Sequence, residues 1–146
     1  MNNYQFYNYD WYSNRAHNSY YVPTRNNQDN LFDPKDGFEK GNMFMNLYNQ
    51  YNNYQPTSLK PKNEQEKLLL NIQSITFAAH DINLYLDIHP NNQSLLMLYK
   101  DYIRKKEELT REYEEKYGPL SPTSKEMGNN QFEWVNSPWP WEGYNV

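Results

Sequence analysis

The chain of 146 residues contains no cysteine. A disulfide framework, a thiolate zinc site and a cysteine nucleophile are therefore excluded. It also lacks any apolar run near the roughly eighteen residues that a membrane-spanning helix needs, so no membrane span is expected. The first residues show no basic stretch followed by an apolar one, so no secretory signal peptide is expected either. These absences favour a protein that stays in the compartment where it is made.

Basic charge and aliphatic side chains are also scarce. The net charge is -4, which argues against binding nucleic acid or an anionic membrane surface, because both require a basic face. Hydrophobic residues make up only 37% of the chain, and 15 of them are tyrosines. Leucine and isoleucine are concentrated between Leu68 and Leu109. We expect one small folded unit with aromatic flanks that bury little by themselves.

Motifs that carry catalysis or bind metal are missing as well. There is no Ser-His-Asp spacing, Walker loop, GxGxxG, HExxH or EF-hand loop. The acidic stretch 33–42 lacks the ligand alternation and terminal Glu of a calcium loop. His80 and Asp81 are adjacent and so point to different faces of a helix, and no Glu-x-x-His pair is present. The sequence predicts no catalytic residue, no metal site and no cofactor, and hence not an enzyme.

Composition divides the chain into five segments. Residues 1–19 form a low-complexity extension rich in Asn and Tyr, expected to be disordered or ordered by a partner. Residues 20–57 are predicted to be an extended aromatic segment, with glycines interrupting any helix at Asp36-Gly37 and Lys40-Gly41 and with room for a short helical turn over 43–48. A linker at 58–63 leads to a helical region at 64–120. The remainder, 121–146, is a polar loop followed by a segment rich in Trp and Pro.

The helical region predicts a first helix at about 64–88. Asn63 followed by Glu66 is typical of an N-cap with Glu at the third helical position. Pro90 ends the helix. Apolar residues recur at helical spacing, and Ser74 and Asp81 lie off their stripe. The stripe consists of Leu68, Ile72, Ile75, Ala79, Ile82 and Leu86.

A second helix is predicted at about 92–117, ending at Gly118-Pro119. Its second half is covered with charges of both signs, and its apolar stripe is formed by Leu95, Tyr99, Tyr102, Leu109 and Tyr113. A short turn between two such helices predicts an antiparallel hairpin, so the fold class is mainly α with extended flanks. Because two helices cannot cover their own stripes, a second copy, the flanking segments or a partner must do so.

The flanking aromatics are the candidate site. Tyr and Trp outside a core are typical interface anchors, because they bury large area and keep a polar tip. Three of the four tryptophans fall in the last thirteen residues, beside prolines that hold that segment extended. We expect one interaction strap formed by Tyr21, Pro23, Phe32, Pro34, Phe38, Phe44, Leu47 and Tyr48, and a second formed by Trp134, Pro138, Trp139, Pro140 and Trp141.

These stretches resemble a known family. The run NLYLDIHPNNQSLLMLYKDYIRKKEELTREYEEKYGPL and the later WVNSPWPWEG resemble the CotJB family of endospore coat proteins over about 64–144. Upstream, the YVP start and the LFDP, GF and GNMF pieces of residues 20–57 resemble CotJA, a short companion coat protein. The whole chain therefore resembles a natural fusion of the two, while residues 1–19 match neither.

The resemblance implies a structural role in the spore coat, for a protein made in the mother-cell cytoplasm. It also implies assembly with a manganese catalase-like coat protein, which would carry the metal chemistry, and with other coat proteins or further copies of the chain. Two alternatives stay open. The tyrosines could be substrates for oxidative coat cross-linking, or the aromatics could stack on single-stranded nucleic acid, although the tail lacks the basic groove that this requires.

Overall fold

The computed structural model describes residues 30–46, 54–125 and 132–135. They contain helices α1 (Pro34–Lys40), α2 (Glu64–Ile88) and α3 (Gln93–Tyr117), and a short 3-10 helix at Glu133–Val135. An isolated antiparallel β-bridge joins Leu31 to Phe44. The mainly α class is confirmed, and the bounds of α2 and α3 agree with the predicted helices to within one residue.

Side-chain caps fix the ends of the two long helices. The Asn63 side-chain oxygen accepts a hydrogen bond from the Glu66 amide at 2.8 Å, and the Glu66 carboxylate reaches back to the Lys62 amide at 2.6 Å. Asn92 caps α3 in the same way through the Leu95 amide at 3.1 Å. Helix α3 ends at Gly118, whose φ of 101° lies in the left-handed region. The ends of the two helices are therefore set locally, by residues that each helix carries at its own termini.

The predicted stripes of α2 and α3 form the core of the hairpin. Near its open end, the Tyr113 hydroxyl accepts a hydrogen bond from the Gln65 side-chain amide at 3.0 Å. Leu86, Tyr99, Leu98 and Ile103 are partly buried against this core. The fully buried members from the two helices are Leu68, Ile72, Ile75, Ala78, Ala79, Ile82, Leu95, Tyr102, Leu109 and Tyr113.

Residues 30–46 cover a second face of α2. Leu31, Met43 and Phe44 from this segment belong to the same hydrophobic core as the hairpin. The Phe38 ring meets the Phe77 ring edge-on, with centroids 5.8 Å apart. We expected a further segment or a partner to cover the hairpin. On this side of α2, residues 30–46 of the same chain do so.

The conformation of residues 30–46 differs from the prediction. Residues 34–40 form helix α1 with Pro34 in its first turn, and the helix runs through Gly37 and ends at Gly41, which has a φ of 70°. The predicted interruption at Gly37 is wrong because this glycine serves close packing. A Cβ there would overlap the sulfur of the fully buried Met43.

The helical turn suggested for 43–48 is also wrong for the residues that can be assessed. Phe44 lies in the β-bridge, and the Phe32 amide donates to the Met43 carbonyl at 2.8 Å. A bridge to a residue thirteen positions earlier takes the backbone groups that a local helix would use. Leu47 and Tyr48 lie outside the described residues.

Candidate interaction surfaces

The aromatic contacts of residues 30–46 with α2 define the first surface. Phe44 is buried, and its ring stacks on that of Tyr85 with centroids 4.7 Å apart. Phe38 is partly buried against Phe77, and Pro34 is buried at the start of α1. Phe32 is partly buried, with the Lys40 ammonium 5.1 Å from its ring centroid. The structure therefore brings Phe38 and Phe44 onto α2, and Tyr21 and Pro23 lie outside the described residues.

Polar contacts fix this segment in one register. The Met43 amide donates to the Asp81 carboxylate at 2.8 Å, across 38 positions of sequence. The Asn42 side chain accepts from the Phe44 amide at 2.9 Å and donates to the Phe44 carbonyl at 2.7 Å. Asn42 thereby satisfies both backbone groups of the residue whose ring is buried. Sequence reasoning did not identify Asn42 or Asp81 as contact residues, because a hydrogen bond to one particular backbone group cannot be deduced from residue type alone.

The face of α2 that receives residues 30–46 mixes apolar and polar side chains. Ser74, Phe77, Ala78, Asp81 and Tyr85 recur at spacings of three and four residues, so they share one side of the helix. Ser74 is buried, and its hydroxyl has no hydrogen-bond partner. The predicted stripe of α2 left out Ser74 and Asp81. Their helical spacing to Phe77 and Tyr85 was the signal that a second face of α2 is covered.

The second predicted surface is described only at its start. Trp134 is partly buried within the 3-10 helix, and its neighbours Phe132 and Val135 are exposed. After α3 the chain turns back, since Leu120 packs against the core and its amide donates to the Glu114 carboxylate at 2.9 Å. The rest of the predicted strap lies outside the described residues, namely Pro138, Trp139, Pro140 and Trp141.

A third surface lies on the outer side of α3, and sequence reasoning did not single it out. Met97 is 69% exposed, and Tyr99 and Ile103 lie beside it, partly buried. Lys100 and Arg104 are exposed on the same side of the helix. We call these five residues the α3 surface; together with Asp101 and Glu107 they line a shallow depression. Exposed apolar groups bordered by charge mark sites of contact with other segments or proteins.

The two histidines within the described residues, His80 and His89, lie on α2 and at its C-terminal end. His80 is exposed, and His89 caps the end of α2 through its amide, which donates to the Tyr85 carbonyl at 3.0 Å. The His89 ring packs on that of Tyr85 with centroids 4.2 Å apart. Among the described residues, no cluster of three or more His, Cys, Asp or Glu side chains could hold a metal ion. Within the same residues, no helix is long and apolar enough to cross a membrane.

The described residues thus form a helical hairpin with an aromatic segment docked on one face and an exposed apolar side chain on another. A family model described as CotJB protein matches residues 66–142, which is just over half of the chain, and the chain belongs to that family. CotJB is a family of spore coat proteins and is not a known enzyme family. The comparisons found no match among curated proteins or among solved structures.

The limits of the family match separate two parts of the chain. The match begins in the first turn of α2 and continues through α3 to Glu142, so it includes the segment rich in Trp and Pro. Residues 30–46 lie before it, although they contribute three residues to the common core. The core therefore extends beyond the matched region.

Proposed function

We propose that this spore coat protein is a non-enzymatic assembly protein, made in the mother cell, that docks on a manganese catalase-like coat protein and on other coat proteins. The observation that carries the proposal is the docking of residues 30–46. It demonstrates on this chain that a short aromatic segment binds a helical face through a few buried rings and one charge-assisted hydrogen bond. A second such segment, at 132–144, is then available for a partner or for the rest of the chain.

We further propose that residues 20–57 are a CotJA-like module fused to the CotJB-like hairpin. In support, Leu31, Met43 and Phe44 lie outside the family match and yet are buried in the core of the hairpin. Joining two modules that work in one assembly raises their effective concentration without any new contact. The fusion would keep the segment on α2 while the hairpin engages the coat.

Co-expression with the manganese catalase-like protein tests the docking proposal. We expect the two proteins to elute together in size exclusion, and Trp139→Ala/Trp141→Ala to shift them apart, because buried Trp anchors commonly contribute at least about 2 kcal/mol each. Tyr54→Ala, which removes an exposed aromatic outside both straps, is the control. Independent elution of the unchanged chain would contradict the proposal.

An alternative function is supported by exposed tyrosines. Tyr54 and Tyr117 are exposed, in contrast to the buried Tyr102 and Tyr113. Two phenols can each give up one hydrogen atom to hydrogen peroxide, forming one carbon–carbon bond and two water molecules. A catalase nearby would limit this reaction. Mass spectrometry of extracted coats should then detect dityrosine at exposed positions and within residues 4–21, and finding none there would remove the alternative.

A further inference from the structure

We infer that the C-terminal segment 138–142, Pro-Trp-Pro-Trp-Glu, docks on the α3 surface of its own chain. Several faces of the hairpin need to be covered. The inner faces of α2 and α3 cover each other, and residues 30–46 cover the second face of α2. The α3 surface is left exposed by the described residues, with Met97 as its most exposed apolar side chain.

The side chains of the α3 surface suit a tryptophan. Met97 supplies a thioether, which makes favourable contacts with aromatic rings. Lys100 and Arg104 supply cations for the face of an indole, the aromatic ring that binds cations best. Ile103 and Tyr99 give the apolar floor on which a flat ring can lie. In the sequence, 138–142 is the one segment with two Trp residues separated by a single position, and each of them follows a proline.

Charge also favours this occupant. The charged side chains that line the depression are Lys100 and Arg104, which are basic, and Asp101 and Glu107, which are acidic, whereas residues 132–146 contain Glu133 and Glu142 and no Lys or Arg. Arg104 is paired with Asp101, and Lys105 with Glu108 at 3.1 Å. Lys100 makes no ion pair with any described residue, and it is exposed. Lys100 is therefore the cation best placed to receive Glu142.

The chain is long enough to make this contact within one molecule. Leu120 already turns back onto the core after α3. Residues 121–137 can span about 55 Å when extended. Helix α3 from residue 117 back to residue 100 is about 25 Å long. The family match joins α3 and residues 138–142 in one unit, which agrees with an occupant from the same chain.

Tryptophan fluorescence of the full chain tests this placement without any coat partner, so its outcome is independent of the proposed function. In a Trp11→Phe/Trp134→Phe background, emission reports only Trp139 and Trp141. We expect Met97→Asp and Lys100→Glu each to lower the ratio of docked to undocked segment about two- to fivefold and thereby to raise acrylamide quenching; for Lys100 this factor corresponds to the loss of one exposed cation–aromatic contact. Adding Glu142→Lys to Lys100→Glu should restore the low value.

The matched control is Arg111→Glu, the same charge reversal three turns further along the same side of α3, which should leave quenching unchanged. All three substituted residues of α3 are exposed, and far-ultraviolet circular dichroism verifies that the helices persist. Equal quenching in every variant would overturn the inference. Quenching that falls as protein concentration rises would also overturn it, and would assign the surface to a second copy of the chain.

Discussion

At the scale of single residues, Gly37 lies where the packing leaves no room for a Cβ atom. Helix propensity alone would make Gly37→Ala stabilising by about 0.5–1 kcal/mol. The added Cβ would overlap the sulfur of buried Met43, so we expect a loss of about 1–3 kcal/mol in unfolding free energy instead. Urea denaturation measures the change in unfolding free energy. A gain would indicate that helix propensity dominates, and a loss would indicate that the overlap with Met43 dominates.

A double mutant identifies the cause of that loss. In a Met43→Ala background the clash partner is gone, so Gly37→Ala should be neutral or stabilising there. The same cost in both backgrounds would mean that Gly37 is needed for a reason other than its contact with Met43. Lys35→Ala on the exposed side of α1 serves as the control.

Ser74 provides a second prediction at this scale. Its hydroxyl is buried without a hydrogen-bond partner, so Ser74→Ala should leave stability unchanged or raise it by up to about 1 kcal/mol. The reverse change at a neighbouring buried position, Ala78→Ser, should cost about 1–3 kcal/mol. Thermal unfolding compares the two. A marked destabilisation by Ser74→Ala would show that the hydroxyl is satisfied.

At the scale of elements, Asp81 links residues 30–46 to α2. Because its carboxylate accepts the Met43 amide, Asp81→Ala should weaken the docking of this segment by about 1.5–3 kcal/mol. Native-state hydrogen exchange should show faster exchange at Met43 and Phe32, with the interior amides of α2 unaffected. Asp87→Ala, an exposed acidic residue on the same helix, is the control. Uniform acceleration across α2 would mean that Asp81 stabilises the helix itself.

The two long helices contain their own capping residues and are long, whereas α1 is short and has no side-chain cap. Each long helix carries its own cap and spans 25 residues, enough turns for helix formation to be favourable once one face is buried. Helix α1 has only 7 residues, and its cap residue Asp33 makes no side-chain hydrogen bond. It therefore depends on α2 for its stability, and variants that undock it should melt it.

At the scale of the whole molecule, the segment 30–46 covers aromatic side chains of α2 that would otherwise be exposed. Phe44→Asp places a charge against Tyr85 and should undock the segment, exposing Phe77 and Ala78. We expect increased binding of a hydrophobic dye and self-association in light scattering. Met45→Asp, the same change at the exposed neighbour, should have neither effect. Unchanged dye binding and light scattering after Phe44→Asp would mean that residues 30–46 do not control association.

The sequence by itself determined the hairpin. Stripes at spacings of three and four, with Asn63, Asn92 and Gly118 at the ends, specify α2 and α3 because helix periodicity and capping are local properties of neighbouring residues. Phe38 and Phe44 were also predicted from their aromatic type to belong to an interaction strap. Their rings pack on α2, and their contact with a partner stays a prediction. Membership in the CotJB family rests on the same region and its C-terminal continuation.

Only the tertiary structure decided what covers α2. Ser74 and Asp81 lie off the apolar stripe of α2, and yet Ser74 is buried and the Asp81 carboxylate accepts the amide of Met43 from the docked segment. Gly37 looks like a helix breaker until its distance from Met43 is known. These contacts join residues more than thirty positions apart or depend on the space between two packed elements. A periodic pattern identifies the amphipathic face of one helix. It carries no information about which distant segment packs on the opposite face of that helix.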